Sequence, residues 1–295
     1  MLARAASLIE NQTEAGRELI SALFAYTGRA LTVGITGPPG AGKSTLINAL
    51  CRALRRQQKS VGIVAIDPSS SYSRGAILGD RIRMREHYLD SGVFIRSMAT
   101  RGQLGGVATG TLELALLFDA AGLNVVFIET VGVGQDEVEV AQLADVTVVV
   151  LVPGFGDDVQ AVKAGIMEIA DVFAINKADL TGADRLEREL LAMQSFAPSD
   201  EEGFAPPITR VVATEEQGID ELWSAILSIA ERTKRTRSAI QSWKVRLHSM
   251  LRDSLLSRLQ DEQLSAHATL VASRTEDPYT ALKELRAALL TDEKR

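Results

Sequence analysis

The residues Gly37-Pro38-Pro39-Gly40-Ala41-Gly42-Lys43-Ser44 match the pattern G-x-x-x-x-G-K-[ST]. Glycines at this spacing let the backbone curl until successive amide N–H groups face one point. A helix opening at Lys43 adds the positive end of its dipole there. A polyphosphate fits such a concavity, with Gly37, Gly40, Ala41, Gly42, Lys43, Ser44 and Thr45 as the nucleotide-binding set. Lys43 reaches the β and γ phosphates, and the Ser44 hydroxyl is a hard oxygen donor suited to Mg²⁺.

A second element, Asn176-Lys177-Ala178-Asp179, follows an apolar run over 172–175. An ionised Asp accepts hydrogen bonds from the ring N–H and the exocyclic amino group of guanine. Adenine presents a ring lone pair at that edge and lacks the amino group, so Asp179 selects GTP over ATP. Asn176 is expected to brace the neighbouring loops, and the Lys177 stem to cover the purine face. Taken alone, N-K-A-D also reads as a helix-capping turn; the phosphate loop upstream favours the base-reading role. Val212-Ala213 stands where many GTPases have Ser-Ala, which leaves the Ala213 N–H to meet the guanine carbonyl oxygen.

Carboxylates supply the third group. Glu129-Thr130-Val131-Gly132 has the form D-x-x-G with Glu for Asp. The longer side chain still reaches Mg²⁺ directly or through water, and the Gly132 N–H is placed to sense the γ-phosphate. Val133 stands where some GTPases carry a water-positioning Gln, so slow intrinsic hydrolysis is expected. Asp67 and Asp80 flank the polar stretch 69–75, the natural first switch. Their alternatives are a turn cap before Pro68 and a helix cap at Arg81.

These groups must be held by a scaffold, and the hydropathy pattern describes one. Strands are expected over 31–36, 61–66, 93–95, 125–128, 146–152, 172–175 and 208–213. Helices are expected over 43–57 and 107–121. Strand-then-helix alternation implies right-handed crossovers and a parallel sheet with ligands at the carboxyl ends of the strands. The fold class is therefore α/β: a P-loop NTPase with a mostly parallel central sheet flanked by helices. Helical extensions are expected at 1–29 and 234–295, around a nucleotide domain at 30–233. In the first, Leu8, Leu19, Ile20, Leu23 and Phe24 fall at helical intervals. In the second, Trp243, Val245, Leu247, Leu251, Leu255, Leu256 and Leu259 form a stripe.

The longer motifs point to a family. Asp67-Pro68-Ser69-Ser70, Gly75-Ala76-Ile77-Leu78-Gly79-Asp80-Arg81-Ile82-Arg83-Met84, Phe94-Ile95-Arg96-Ser97, Arg101-Gly102 and Glu129-Thr130-Val131-Gly132-Val133-Gly134-Gln135 resemble the methylmalonyl-CoA mutase-associated GTPases. These are SIMIBI-class chaperones of cobalamin enzymes, once labelled arginine/ornithine transport kinases, and the likeness extends over about 30–260. The resemblance implies a homodimeric GTPase that gates adenosylcobalamin loading onto a cobalamin-dependent acyl-CoA mutase and rescues the damaged enzyme. It places Ser44, Asp67, Asp80 and Glu129 around Mg²⁺ and makes the C-terminal stripe a dimer arm. It also makes 153–165 a third switch, in which Asp157 and Lys163 couple nucleotide state to the partner. From the residues alone, Asp157 reads equally as a helix N-cap, Lys163 as a solvated lysine, and the stripe as a helix folded back on its own domain.

Composition removes several other classes. With 32 Lys plus Arg against 38 Asp plus Glu, the formal charge of -6 provides no positive field for nucleic acid. One cysteine, Cys51, and three histidines argue against a disulfide framework and a Cys/His zinc cluster. Neither a signal peptide nor a membrane span is expected, and the cytoplasm is the expected compartment. A kinase acting on a periplasmic amino-acid-binding protein would need elements such as H-R-D and D-F-G, which the sequence lacks. A nickel metallochaperone GTPase would be expected to carry a His-rich or Cys-containing metal site.

Overall fold

In chain order, a computed structural model describes residues 1–67, 87, 89–99, 106–130, 143–154, 169–196, 205–236, 239–256, 259 and 261–291. Two short helices, α1 (Leu2–Glu10) and α2 (Glu14–Leu23), lead through a 3₁₀ turn (Phe24–Tyr26) into β1 (Leu31–Thr36). There follow α3 (Lys43–Arg56), β2 (Val61–Asp67), β3 (Val93–Ala99), α4 (Gly106–Ala120), β4 (Val125–Glu129), β5 (Val146–Leu151) and β6 (Val172–Ile175). The chain continues through α5 (Ala183–Phe196), β7 (Ile208–Arg210), α6 (Ile219–Thr236), α7 (Ala239–Leu256), α8 (Asp261–Ala272) and α9 (Pro278–Thr291).

The strands form one parallel sheet in the order β3-β2-β4-β1-β5-β6-β7. Strand β1 lies at its centre, and the chain winds outward to both sides of it. The carboxyl ends therefore share one edge. Ile35 is in register with Glu129 across β1 and β4, and Leu151 with Ile175 across β5 and β6.

Period-two burial explains why such apolar strands need helices on both faces. In β4, Val125 and Phe127 face a core with Leu46, Leu50 and Leu54 of α3 and Leu222, Trp223 and Ile226 of α6. Val126 faces the opposite layer, where it meets Ala6 and Ile9 of α1 and Leu114 and Phe118 of α4. A third cluster joins Val149, Phe173 and Ile175 to Leu186 and Leu190 of α5.

Several expected boundaries shift. Strand β7 stops at Arg210 rather than continuing to 213, because Val212 turns back to form an antiparallel bridge with Gln217. Strand β3 runs four residues beyond the apolar run at 93–95, its ladder with β2 extending to Asp67↔Ala99. In α1 the buried residues are Ala6 and Ile9, whereas Leu8 lies on the outer side. Helix α6 runs unbroken from Ile219 to Thr236.

The C-terminal stripe divides. On one flank of α7, Trp243 meets Phe24 edge-on at 5.2 Å, Arg246 donates to the Leu143 carbonyl at 2.7 Å, and Met250 packs beside Ile66, Leu112, Ile128 and Leu143. Ile240, Leu247, Leu251 and Leu255, at near-helical spacing on a second flank, face solvent. Among the described residues no helix is long and apolar enough to cross a membrane.

Candidate functional site: a phosphate loop braced against a base-side loop

The turn after β1 must double back beneath the neighbouring strand, and residue type decides whether it can. At Gly37 the backbone has φ +138°, and a Cβ there would lie 2.1 Å from the Val150 carbonyl oxygen of β5. Gly42 caps α3 in the left-handed conformation, φ 86°, with Asn176 Nδ2 2.5 Å from where a Cβ would stand. Glycine alone meets both demands without strain. The loop then closes on itself: Ala41 N–H donates to the Pro38 carbonyl at 3.2 Å. Buried Lys43 donates from Nζ to the carbonyls of Gly37 at 2.7 Å and Pro38 at 3.1 Å. Gly40 and Thr45 face solvent.

Strand β4 delivers Glu129 beside this loop because it pairs directly with β1. The Ser44 hydroxyl donates to Glu129 Oε1 at 2.5 Å, and both side chains are buried. One residue on, Thr130 is tied to β1 by its N–H to the Ile35 carbonyl at 3.1 Å and by its hydroxyl to that of Thr36 at 3.0 Å. Ser44 and Glu129 are hard oxygen donors and suit Mg²⁺, whose octahedral ligands lie about 2.9 Å apart. Seating the ion therefore requires the two oxygens to separate by only a few tenths of an ångström. Asp67 closes β2 on the same edge, two strands from β1. Its side chain, together with Asp80, Gly132, Val133, Asp157 and Lys163, lies outside the described residues.

The base-side element begins where β6 ends. Asn176, 2% exposed, donates from Nδ2 to the Ala41 carbonyl at 2.8 Å and accepts the Ala213 N–H on Oδ1 at 3.2 Å. One buried amide thus joins the phosphate loop to the loop after β7. Lys177, in the left-handed region at φ 54°, donates from Nζ to the Gly40 carbonyl at 2.9 Å, which lays its stem over the phosphate loop. Asp179, two residues after Lys177, is exposed. Because the Ala213 N–H is directed at Asn176, a base oxygen reaches it only by sharing it in a three-centre bond.

Beyond the expected set, the geometry adds Thr36, Thr130 and an ionic contact from α3. Arg52 Nε lies 2.5 Å from Glu216 Oε1, and Arg56 Nη1 lies 2.7 Å from Glu216 Oε2. No spacing rule connects residues 160 positions apart. Cys51 is buried in α3, its sulfur 3.9 Å from His87 Nδ1. His267, Glu276 and Glu284 have potential ligand atoms within 4.8 Å of one another. A tetrahedral metal holds its donors about 3.3 Å apart. This wider group instead serves α8 and α9, with His267 Nδ1 hydrogen-bonded to Glu276 at 2.9 Å.

Known proteins are similar to this chain in sequence and fold. The family described as methylmalonyl-CoA mutase-associated GTPase MeaB matches residues 2–268. A Pyrococcus abyssi protein assigned to the GTPases is 45% identical, over 96% of this chain and 92% of that protein. The GTPase ArgK of Escherichia coli K12 is 35% identical, over 98% of this chain and 92% of its own length. Among solved structures, the crystal structure of LAO/AO transport system kinase superposes with a TM-score of 0.70 at 29% identity, covering 97% and 91% of the two chains. With a phosphate loop at the centre of a seven-stranded parallel sheet and a match over almost its whole length, the chain belongs to the methylmalonyl-CoA mutase-associated GTPase family, MeaB.

Proposed function

We propose that this chain binds GTP with Mg²⁺ in the cleft between the phosphate loop and Asp179, hydrolyses it slowly to GDP, and serves as a cytoplasmic switch for a cobalamin-dependent acyl-CoA mutase. The observation that supports the reading is Asn176, which ties Ala41 of the glycine-rich loop to Ala213 at the sheet edge that the two loops share. The Lys43 ammonium, which donates to two carbonyls of its own loop, would transfer to the β and γ phosphates. Asp179 reads the guanine edge. Ser44 and Glu129, with Asp67 and Asp80, are the proposed Mg²⁺ ligands; the ion would neutralise phosphate charge as it develops.

Gly132 is proposed to sense the γ-phosphate, and Asp157 and Lys163 to relay nucleotide state to the mutase. The exposed flank of α7, with Ile240, Leu247, Leu251 and Leu255, supports a homodimer built through the C-terminal arm. The kinase named for the similar solved structure finds no H-R-D or D-F-G element here.

The test is nucleotide binding and turnover with and without a mutase from the same cell. GTP and GDP should bind far more tightly than ATP, and Asp179→Ala should erase that preference. Hydrolysis should require Mg²⁺, fall strongly in Lys43→Ala and rise when the mutase is added. Equal affinity for ATP and GTP, or full activity in Lys43→Ala, would overturn the reading.

A further inference from the structure

The contact between α3 and the loop after β7 closes a mechanical ring. Helix α3 carries the phosphate loop at its N-terminus and presents Arg52 and Arg56 from its later turns. Both guanidinium groups meet Glu216, one on each carboxylate oxygen. Glu216 stands at the corner of a tight hairpin with φ 56°, closed by Val212 N–H on the Gln217 carbonyl at 3.0 Å and the reverse bond at 3.3 Å. Four residues before the start of that turn, the chain is still in β7; three residues before Glu216, Ala213 donates to Asn176. Asn176 returns to Ala41 and so to the phosphate loop and α3. The base-side loop is therefore held to the phosphate-binding unit both at a neutral, buried amide and at an ionic, half-buried contact.

We propose that Glu216 is a positioning residue for nucleotide binding: clamped by Arg52 and Arg56, it holds the 211–218 loop in the register at which a guanine nucleotide is retained. This inference rests on the proposed GTP-binding function. The two guanidinium groups, Arg56 ahead of Arg52, hold the Glu216 carboxyl below the usual carboxylate range, so the clamp is charged at neutral pH. Glu216 and Arg52 side chains are about 30% exposed and Arg56 more so. An ion pair of that exposure contributes little to global stability. Its effect is local, in restricting the loop that carries Ala213. Without the clamp the loop samples more conformations, and a bound nucleotide leaves sooner.

The experiment follows dissociation of a fluorescent GDP from the full-length wild type, from Glu216→Gln, from Arg52→Ala/Arg56→Ala and from the triple variant. Glu216→Gln is expected to raise the dissociation rate about two- to five-fold, the size of one half-exposed pair. The association rate should change little. The arginine pair should raise the rate at least as much, and adding Glu216→Gln to it should have no further effect, because the Glu216 contact is already broken. The difference between wild type and Glu216→Gln should also shrink at about 1 M salt, where the Debye length is about 3 Å.

An unchanged dissociation rate in Glu216→Gln, with GDP still bound by the wild type, overturns the positioning role and leaves GTP binding intact. A lowered thermal midpoint with no change in dissociation rate assigns Glu216 to stability alone and likewise overturns it. Failure of the wild type to bind GDP removes the function on which the proposal rests.

Discussion

Replacing Asn176 by Ala tests the joint on which the proposed site depends. The side chain is 2% exposed and makes two hydrogen bonds, from Nδ2 to the Ala41 carbonyl and from the Ala213 N–H to Oδ1. Ala41 and Ala213 are themselves almost fully buried, at 0% and 2%. Truncation therefore strands one donor and one acceptor out of reach of water, each costing about 1–3 kcal/mol. The sum, about 2–6 kcal/mol, corresponds to a fall in thermal midpoint of about 3–10 °C for a chain of this length. Circular dichroism melts of the ligand-free protein measure it directly. With saturating GDP the gap between variant and wild type should widen, because the variant binds nucleotide less tightly and gains less from it. Asn176→Asp separates the two bonds. It keeps the acceptor for Ala213 but sets a carboxylate oxygen against the Ala41 carbonyl, so at neutral pH it should destabilise at least as much as Ala. A melt of Asn176→Ala within about 1 °C of wild type, in both conditions, would refute the idea that this amide couples the two loops.

Three other perturbations have defined outcomes. Gly37→Ala puts a methyl 2.1 Å from the Val150 carbonyl oxygen at a φ that L residues avoid, so the loop must leave β5. GDP titration should show binding lost, and retained binding would refute the required close approach. Burial pushes the Glu113 carboxyl on α4 above the usual range, against a smaller opposing pull from Arg17. A raised folded pKa means that stability present below the unfolded value is lost as pH rises through the folded one. Glu113→Gln should therefore stabilise the protein at pH 7, with the gain disappearing in acid. Denaturant titrations at both pH values check the sign. For Asp90 the direction is opposite: hydrogen bonds from Arg55 and the Gly92 N–H hold its carboxyl below the usual range. Its contribution is present above the unfolded carboxylate value and lost as pH falls through the lower folded value. Asp90→Asn should cost stability at pH 7, and its acid-unfolding curve should merge with that of the wild type at the bottom of that window.

How much was legible in the sequence varies with the range of the interaction. Periodicity located β1 and β6 at their observed bounds and placed α3 within a residue of its observed end, since local spacing alone creates those signals. The phosphate loop was readable for the same reason: its glycines, lysine and serine fall within eight successive positions, 37–44. Strand β7 was read too long because Val211-Val212-Ala213 is as apolar as a strand. The turn back to Gln217 is a backbone pairing that hydropathy does not encode. The α7 stripe was visible as a stripe, but its division into a flank on Phe24 and Leu143 and a flank in water depends on which neighbour occupies which side.

Sequence by itself therefore determined the make-up of each segment: a glycine-rich loop ending in Lys43 and Ser44, an N-K-x-D element, and the buried parallel strands that carry them. The tertiary structure alone decided their juxtaposition. Pairing β4 with β1 puts Glu129 against Ser44 across 85 positions, and a single Asn176 amide joins loops that are 172 positions apart, Ala41 and Ala213. The physical reason is that a side chain's type is a local property, whereas its partner is selected by strand order and by the need to satisfy every buried polar group. That selection is made only when the whole sheet has closed.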